Sequence, residues 1–204
     1  GRIFVRGAPE RSLPLGEVAR VLTAPPPAYL FPPDLEPGLE ATFYFRPEAK
    51  TFSYGAHAAV VEVDVETGVV QVLRYVVAHD CGVVVNPLVA EGQIHGAVAQ
   101  GIGTALYEEM VYDEYGQPLT TSYMDYLLPT AMEVPPITIG HLETPSPRNP
   151  EGIKGLGEGG MYPSLAAVAN AVEDALAPFG VCVTELPLTP ERVRALIDAA
   201  PTRP

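Results

Sequence analysis

The sequence is poor in cysteine, in positive charge and in long apolar runs, and each shortage excludes a class of protein. Its two cysteines, Cys81 and Cys182, are too few for the four ligands of an iron–sulfur cluster or for a disulfide framework. Twelve Lys and Arg residues stand against 25 Asp and Glu, a formal net charge of −13, and no basic stripe marks a nucleic-acid surface. No apolar run is long enough for a membrane span, and the N-terminus, GRIFVRGAPE, lacks the apolar core of a signal peptide. We therefore expect a cytoplasmic protein without a nucleic-acid partner or a membrane span.

Several common catalytic motifs are also missing. No Gly-Lys-Ser or Gly-Lys-Thr sequence occurs, which excludes the phosphate-binding loop of nucleotide triphosphatases. The four histidines are scattered and form no HExxH pattern, which argues against a zinc site. No serine lies in a GxSxG elbow, so a serine hydrolase is not indicated.

The apolar pattern predicts an α+β fold. The chain is 47% hydrophobic and 18% charged, which suffices for a buried core. Ala58–Val65 and Val69–Ala78 flank a turn signal at Glu66-Thr67-Gly68 and predict a hairpin. Asn86-Pro87 predicts the start of a helix that runs to about residue 109. Further strands are predicted at Arg2–Val5, Leu39–Phe45, Ile137–Leu142 and Val181–Thr184, a second hairpin at 110–121, and further helices at 13–22, 163–176 and 190–200. We expect an antiparallel or mixed sheet with packed helices, in one domain over 1–204 with a proline-rich connector at 23–38.

Residues 152–160 read GIKGLGEGG, and five of these nine residues are glycine. Gly155, Gly157 and Gly160 match the GxGxxG dinucleotide pattern, but the strand and tight turn that this pattern needs do not precede it. Two interpretations of Glu158 stay open. It either caps the next helix or lies in solvent, or it is a general base whose pKa is set by burial among small neighbours. Lys154 either pairs with Glu158 or reaches an anionic cofactor.

The predicted helix after Asn86 contains four glycines and two glutamines with a regular spacing. Each glycine, at positions 92, 96, 101 and 103, costs up to ~1 kcal/mol in a helix interior, which close packing against a backbone or a cofactor would offset. Gln93 and Gln100 are seven residues apart and share one helical face. Their amides suit the edge of a heterocycle, and the alternative is a close helix crossing with both side chains in solvent.

Four segments, in this order, resemble the C-terminal molybdopterin-binding domain of the xanthine dehydrogenase/aldehyde oxidase family. They are HDCGVVVNPLVAEGQIHGAVAQGIGTALYEE, SYMDYLLPTAMEVP, ETPSPRNPEGIKGLGEGG and AVANAVEDAL. The resemblance covers roughly residues 3–197 and is closest to the large subunit of aerobic carbon monoxide dehydrogenase-like enzymes. It implies the fold of the molybdenum-cofactor-binding domain of molybdenum hydroxylases, in agreement with the α+β pattern.

The resemblance also implies a function. It implies a molybdopterin-dependent oxidoreductase whose cofactor, often the cytosine dinucleotide form in bacterial members, carries a molybdenum without protein ligands. It implies that Glu158 is the base that deprotonates the metal-bound hydroxyl group, so that water-derived oxygen reaches a small carbon substrate. Gln100 would contact the pterin, and Lys154, Gly155 and Gly157 would shape the site. The implied partners are the rest of the large subunit and iron–sulfur and flavin subunits, since neither of those cofactors is expected in this chain.

The chain is much shorter than a large subunit of that family and begins with Gly1. We therefore expect a split-gene subunit, a truncated reading frame or an expressed domain that is inactive by itself. The alternative is a non-catalytic orphan domain or interaction module that retains the fold. Carbon monoxide, aldehydes and N-heterocycles all stay open as substrates.

Overall fold

A computed structural model describes residues 1–23, 38–47 and 49–200. The chain divides into two units, Gly1–Arg46 and Pro47–Pro204. The connector expected at 23–38 lies almost entirely outside the described residues, and the single-domain organisation stays a prediction.

The described residues of the first unit form a two-stranded antiparallel sheet and one helix. Strand β1 (Arg2–Val5) is confirmed, and it pairs with β2 (Ala8–Pro14), which the sequence pattern missed. Helix α1 (Leu15–Thr23) starts two residues later than predicted, because positions 13 and 14 pair with β1 at the end of β2. The predicted strand at Leu39–Phe45 is wrong, since the described residues 38–47 contain no strand and aromatic side chains there, such as Phe43, are exposed.

The second unit is built on a three-stranded mixed sheet, which confirms the predicted fold class. Its strands are β3 (Tyr54–Val63), β4 (Val70–Asp80) and β5 (Ile137–Leu142), in the order β3-β4-β5. The predicted hairpin is confirmed, because β3 and β4 are antiparallel, whereas β4 and β5 run parallel. Its turn is stabilised by the Asp64 carboxylate, which accepts from two backbone N–H groups, and by Gly68 at φ +78°.

Three α-helices lie in the described residues of the second unit: α2 (Pro87–Leu106), α3 (Tyr162–Ala175) and α4 (Pro190–Ala199). The predicted cap of α2 is confirmed, since Asn86 Oδ1 accepts from the Val89 N–H at 3.2 Å. The predicted strand at Val181–Thr184 is wrong, because these residues pair with no strand of the described chain. Likewise, the hairpin predicted at 110–121 is reduced to an isolated bridge between Tyr112 and Pro118. No helix among the described residues is long and apolar enough to cross a membrane.

The core lies between the sheet and the helices α2 and α3. Alternate residues of β4 are buried there, and α3 buries one face rather than its whole surface. The two helices cross where Gly101 of α2 meets Ser164 of α3, since a Cβ on Gly101 would overlap the Ser164 hydroxyl. Close packing therefore accounts for this glycine, whereas Gly92 and Gly96 have no atom of the described chain near their Cβ positions.

Candidate active site

The glycine-rich loop at 152–160 is attached to the residues that follow β4 and then enters α3. Gly82 and Ile153 form an isolated antiparallel bridge, and the Lys154 N–H donates to the Cys81 carbonyl at 2.8 Å. Gly152 has φ +70°, a conformation that favours glycine. The first half of the loop is therefore fixed to the end of the sheet.

Glu158 lies in the second half of this loop, with an exposed side chain. Its Oε2 accepts a hydrogen bond from the Tyr162 hydroxyl at 3.0 Å, and that bond and the carboxylate charge raise the pKa of Tyr162. The carboxylate bonds to this hydroxyl rather than to a backbone N–H of α3, so it is not the helix cap. The burial expected around a general base at Glu158 is also not found within the described residues.

Glu158 lines a groove of about 470 Å³. One wall is formed by residues 51–55, and the other by residues 155–159 with Tyr162 and Pro163. At Gly157 a Cβ would meet no atom of the described chain within 4 Å, so this part of the wall is open. Gly157 thus leaves open space in the groove that Glu158 lines.

Asp80, which the sequence interpretation did not single out, is fully buried at the end of β4. Its Oδ1 accepts from the Gly82 N–H at 2.8 Å and from Lys154 Nζ at 3.0 Å, and its Oδ2 accepts from the Thr144 N–H at 3.1 Å. Burial alone would raise the pKa of Asp80, but these hydrogen bonds outweigh it and hold the pKa well below its usual value. The only signal in the sequence was an acidic residue directly after an apolar strand.

Lys154 pairs with Asp80, so of its two open interpretations the pairing with Glu158 is wrong. The ammonium group also lies 4.4 Å from the centre of the Tyr54 ring. Burial lowers the pKa of Lys154, but the hydrogen bond and the charge of Asp80 outweigh it and raise the pKa above its usual value. Lys154 therefore serves the attachment of the loop.

The two glutamines on one face of α2 have different surroundings. Gln93 Nε2 donates to the Gly157 carbonyl at 2.5 Å and so holds the second half of the loop. Gln100 lies two turns, or roughly 10 Å, further along the helix. Its exposed side chain makes no hydrogen bond to the described residues. Of the pair, Gln100 keeps an amide available to a ligand.

Three of the four scattered histidines come together on the buried face of the sheet. His79 of β4 lies opposite His141 of β5, and His57 of β3 bonds to the Tyr75 hydroxyl at 3.0 Å. His79 lies under the loop, because a Cβ on Gly159 would be 2.8 Å from its Nε2. The described part of the chain has no group of three or more His, Cys, Asp and Glu that could hold a metal ion.

Comparison with known families shows which family this chain belongs to. The profile of the molybdopterin cofactor-binding domain matches residues 1–135. The chain belongs to this family. The prediction of a molybdopterin-binding domain, close to carbon monoxide dehydrogenase large subunits, is thereby confirmed.

Relatives of this molybdopterin cofactor-binding domain are much longer proteins. The nicotine 6-hydroxylase large subunit of Paenarthrobacter nicotinovorans is 46% identical over 193 residues, which are 95% of this chain and 23% of that protein. The carbon monoxide dehydrogenase large chain of Afipia carboxidovorans is 40% identical over 176 residues, 86% of this chain and 21% of that protein. The crystal structure of quinoline 2-oxidoreductase from Pseudomonas putida 86 superposes with a TM-score of 0.89 and 43% identity, over 98% of this chain and 25% of that one. The chain thus spans about a quarter or less of each relative.

Two features of the described residues are of the kind that a pterin ligand would use. The groove beside Glu158 is open at Gly157, where a Cβ would meet no atom of the described residues within 4 Å. The exposed amide of Gln100 offers both donors and an acceptor, as the edge of a pterin requires. The residues present therefore suit the cofactor by which the family is named.

Proposed function

We propose that this chain is part of a molybdenum hydroxylase, an oxidoreductase that oxidises a small carbon substrate with water-derived oxygen. The observation that carries the proposal is the exposed Glu158 carboxylate, which lines a groove of about 470 Å³ in a chain whose residues 1–135 match the molybdopterin cofactor-binding domain. The names of the relatives support it, since they include a nicotine hydroxylase, a carbon monoxide dehydrogenase and a quinoline oxidoreductase. The proposed substrates accordingly range from carbon monoxide to N-heterocycles.

Glu158 is the proposed base. The Tyr162 hydroxyl donates a hydrogen bond to Glu158 Oε2, whereas Glu158 Oε1 has no hydrogen-bond partner within the described residues. Oε1 therefore accepts a proton from a group bound in the groove, and the Tyr162 hydroxyl keeps the carboxylate oriented while it does so.

Gln100, Gly155 and Gly157 are proposed to contact the cofactor. When bound, the molybdopterin cofactor, in the proposed cytosine dinucleotide form, supplies the oxidising centre, and the protein supplies placement and a base. The Gln100 amide hydrogen-bonds to the pterin edge, while the two glycines leave room for the pterin to approach the backbone. Lys154 belongs to the same site as the residue that attaches the loop, since Asp80 binds its ammonium group.

The proposed partners are the rest of the large subunit and iron–sulfur and flavin subunits. The relatives named above include a large subunit and a large chain, which supports a multi-subunit assembly. Apolar side chains at the start of α2 also favour a protein partner, since Val85 and Leu88 are 78% and 81% exposed. A cytoplasmic location stays part of the proposal.

The test is the substitution Glu158→Gln in the complex that contains this chain. Loss of the base should lower kcat by about 10²- to 10⁴-fold, while the molybdenum and pterin contents stay at the wild-type level. Glu151→Gln is the matched control, because Glu151 is an exposed carboxylate at the start of the same segment.

Two results would contradict the proposal. If the Glu158→Gln complex keeps most of its turnover with its cofactor in place, Glu158 is not the base. If the wild-type complex contains neither molybdenum nor pterin, the chain acts as a non-catalytic module instead.

A further inference from the structure

Asp80 and Lys154 form a buried ion pair between the end of the sheet and the loop that carries Glu158. Their side chains are 0% and 10% exposed. The Asp80 carboxylate binds three donors from three segments: Gly82 in the turn after β4, Thr144 after β5, and Lys154 in the glycine-rich loop. One carboxylate therefore joins the ends of two strands to the loop.

The loop needs such an attachment because five of its nine residues are glycine. Glycine loses more conformational freedom on ordering than any other residue, so this segment holds a fixed shape only where contacts impose it. Lys154 is held both by its side chain and by its backbone N–H, which donates to Cys81. The Tyr54 ring covers its ammonium group, and the Tyr54 hydroxyl bonds to Thr144 at 3.1 Å.

A gain in the free energy of unfolding does not by itself explain why an ion pair is buried at this place. A buried ion pair gains little over well-packed apolar side chains, because desolvation opposes the Coulomb attraction. The other two ion pairs of the described residues, Glu109–Arg192 and Arg194–Asp198, are partly or largely exposed and lie away from the loop. The buried pair differs from them in that it fixes a segment four residues before Glu158.

We propose that Asp80 and Lys154 are positioning residues for Glu158. The pair sets the path of the loop backbone, so that the Glu158 carboxylate faces the groove. This inference rests on the proposed role of Glu158 as the base. It assigns to Lys154 the task of holding the loop in place by its ion pair with Asp80.

The first test measures loop order without catalysis. In the complex that contains this chain, Asp80→Asn should speed amide hydrogen exchange in the peptide over residues 152–160 by about tenfold or more, with no change in α4. Asp198→Asn, which removes an exposed pair, should leave exchange in this peptide unchanged. Unchanged loop exchange in the Asp80→Asn complex would overturn the proposal.

Variants of Lys154 provide a second route should Asp80→Asn fail to fold. Lys154→Met keeps the length of the side chain without its charge and should loosen the loop in the same way. Lys154→Arg keeps the charge and should restore most of the protection from exchange. Equal exchange in the Met and Arg complexes would show that the charge does not hold the loop.

The second test asks whether Asp80 acts through Glu158. With molybdenum and pterin retained, Asp80→Asn should lower kcat by about 10- to 100-fold, the effect of a small displacement of a reacting group. In a Glu158→Gln background the same change should lower the residual rate no further.

The outcomes separate this inference from the proposed function. An equal loss in both backgrounds would mean that Asp80 is only structural, which overturns the positioning role while the base assignment stands. Full activity of the Glu158→Gln complex would overturn the base assignment, and the exchange data would still show whether the pair holds the loop.

Discussion

The side-chain amide of Gln93 donates a hydrogen bond to the carbonyl oxygen of Gly157, with 2.5 Å between the two atoms. This contact connects α2 to the second half of the Glu158 loop. Gln100, on the same face of the helix, is exposed and makes no such bond to the described residues. The two glutamines thus differ: Gln93 holds the loop, whereas Gln100 is proposed to contact the cofactor.

Gln93→Ala should therefore destabilise the chain, whereas Gln100→Ala should not. Loss of the bond to Gly157 should lower the free energy of unfolding by about 0.5–1.5 kcal/mol. Replacement of the exposed Gln100 should change it by less than about 0.5 kcal/mol. Urea unfolding of the purified chain measures both values.

The Gln100→Ala substitution should instead lower the cofactor content of the complex. The Gln100→Ala complex should retain less molybdenum and pterin than the wild type, because a ligand contact is lost while the fold is not. Wild-type cofactor content in that complex would remove Gln100 from the proposed site.

Gly101→Ala and Gly96→Ala should change stability in opposite directions, although both replace a glycine of α2. A Cβ at Gly101 would overlap the Ser164 hydroxyl and lie 2.6 Å from Ser164 Cβ, so we expect a loss of about 1–3 kcal/mol. At Gly96 no atom of the described chain lies within 4 Å of the Cβ position, so alanine should add up to about 1 kcal/mol through helix propensity. Thermal or urea unfolding would test this, and equal effects would contradict the close crossing of α2 and α3.

Mild acid should destabilise the chain through His57. Burial, together with the neighbouring His79, lowers the pKa of His57 from 6.5 to about 4. Between these two values the unfolded chain binds more protons than the folded one, so stability is complete above pH 6.5 and falls toward pH 4. Urea midpoints measured from pH 7 to pH 4 should decrease accordingly.

His57→Gln should reduce that dependence on pH without abolishing it, because the pKa of buried His79 is also lowered. His95→Gln is the control, since His95 is exposed on α2. An unchanged slope for His57→Gln would show that His57 does not contribute to the acid sensitivity.

The sequence correctly predicted those structural elements that depend on a few adjacent residues. The Gly68 turn between two alternating segments predicted the hairpin, and Asn86-Pro87 predicted the start of α2, because turn and cap geometry depend on adjacent residues. The predictions of strands at Leu39–Phe45 and Val181–Thr184 were wrong because strand formation depends on residues that are distant in the sequence. A strand exists only where a partner supplies its hydrogen bonds, and the apolar pattern of these segments does not reveal whether a partner is present.

The sequence by itself determined the family, the α+β class and the place of Glu158 in a glycine-rich loop. Only the tertiary structure decided what holds that loop. Asp80 and Lys154 are 74 residues apart in the chain, and their pairing depends on where the sheet ends and how the loop returns to it. Burial strengthens their interaction because water is excluded, and burial is a property of the packed chain rather than of either residue.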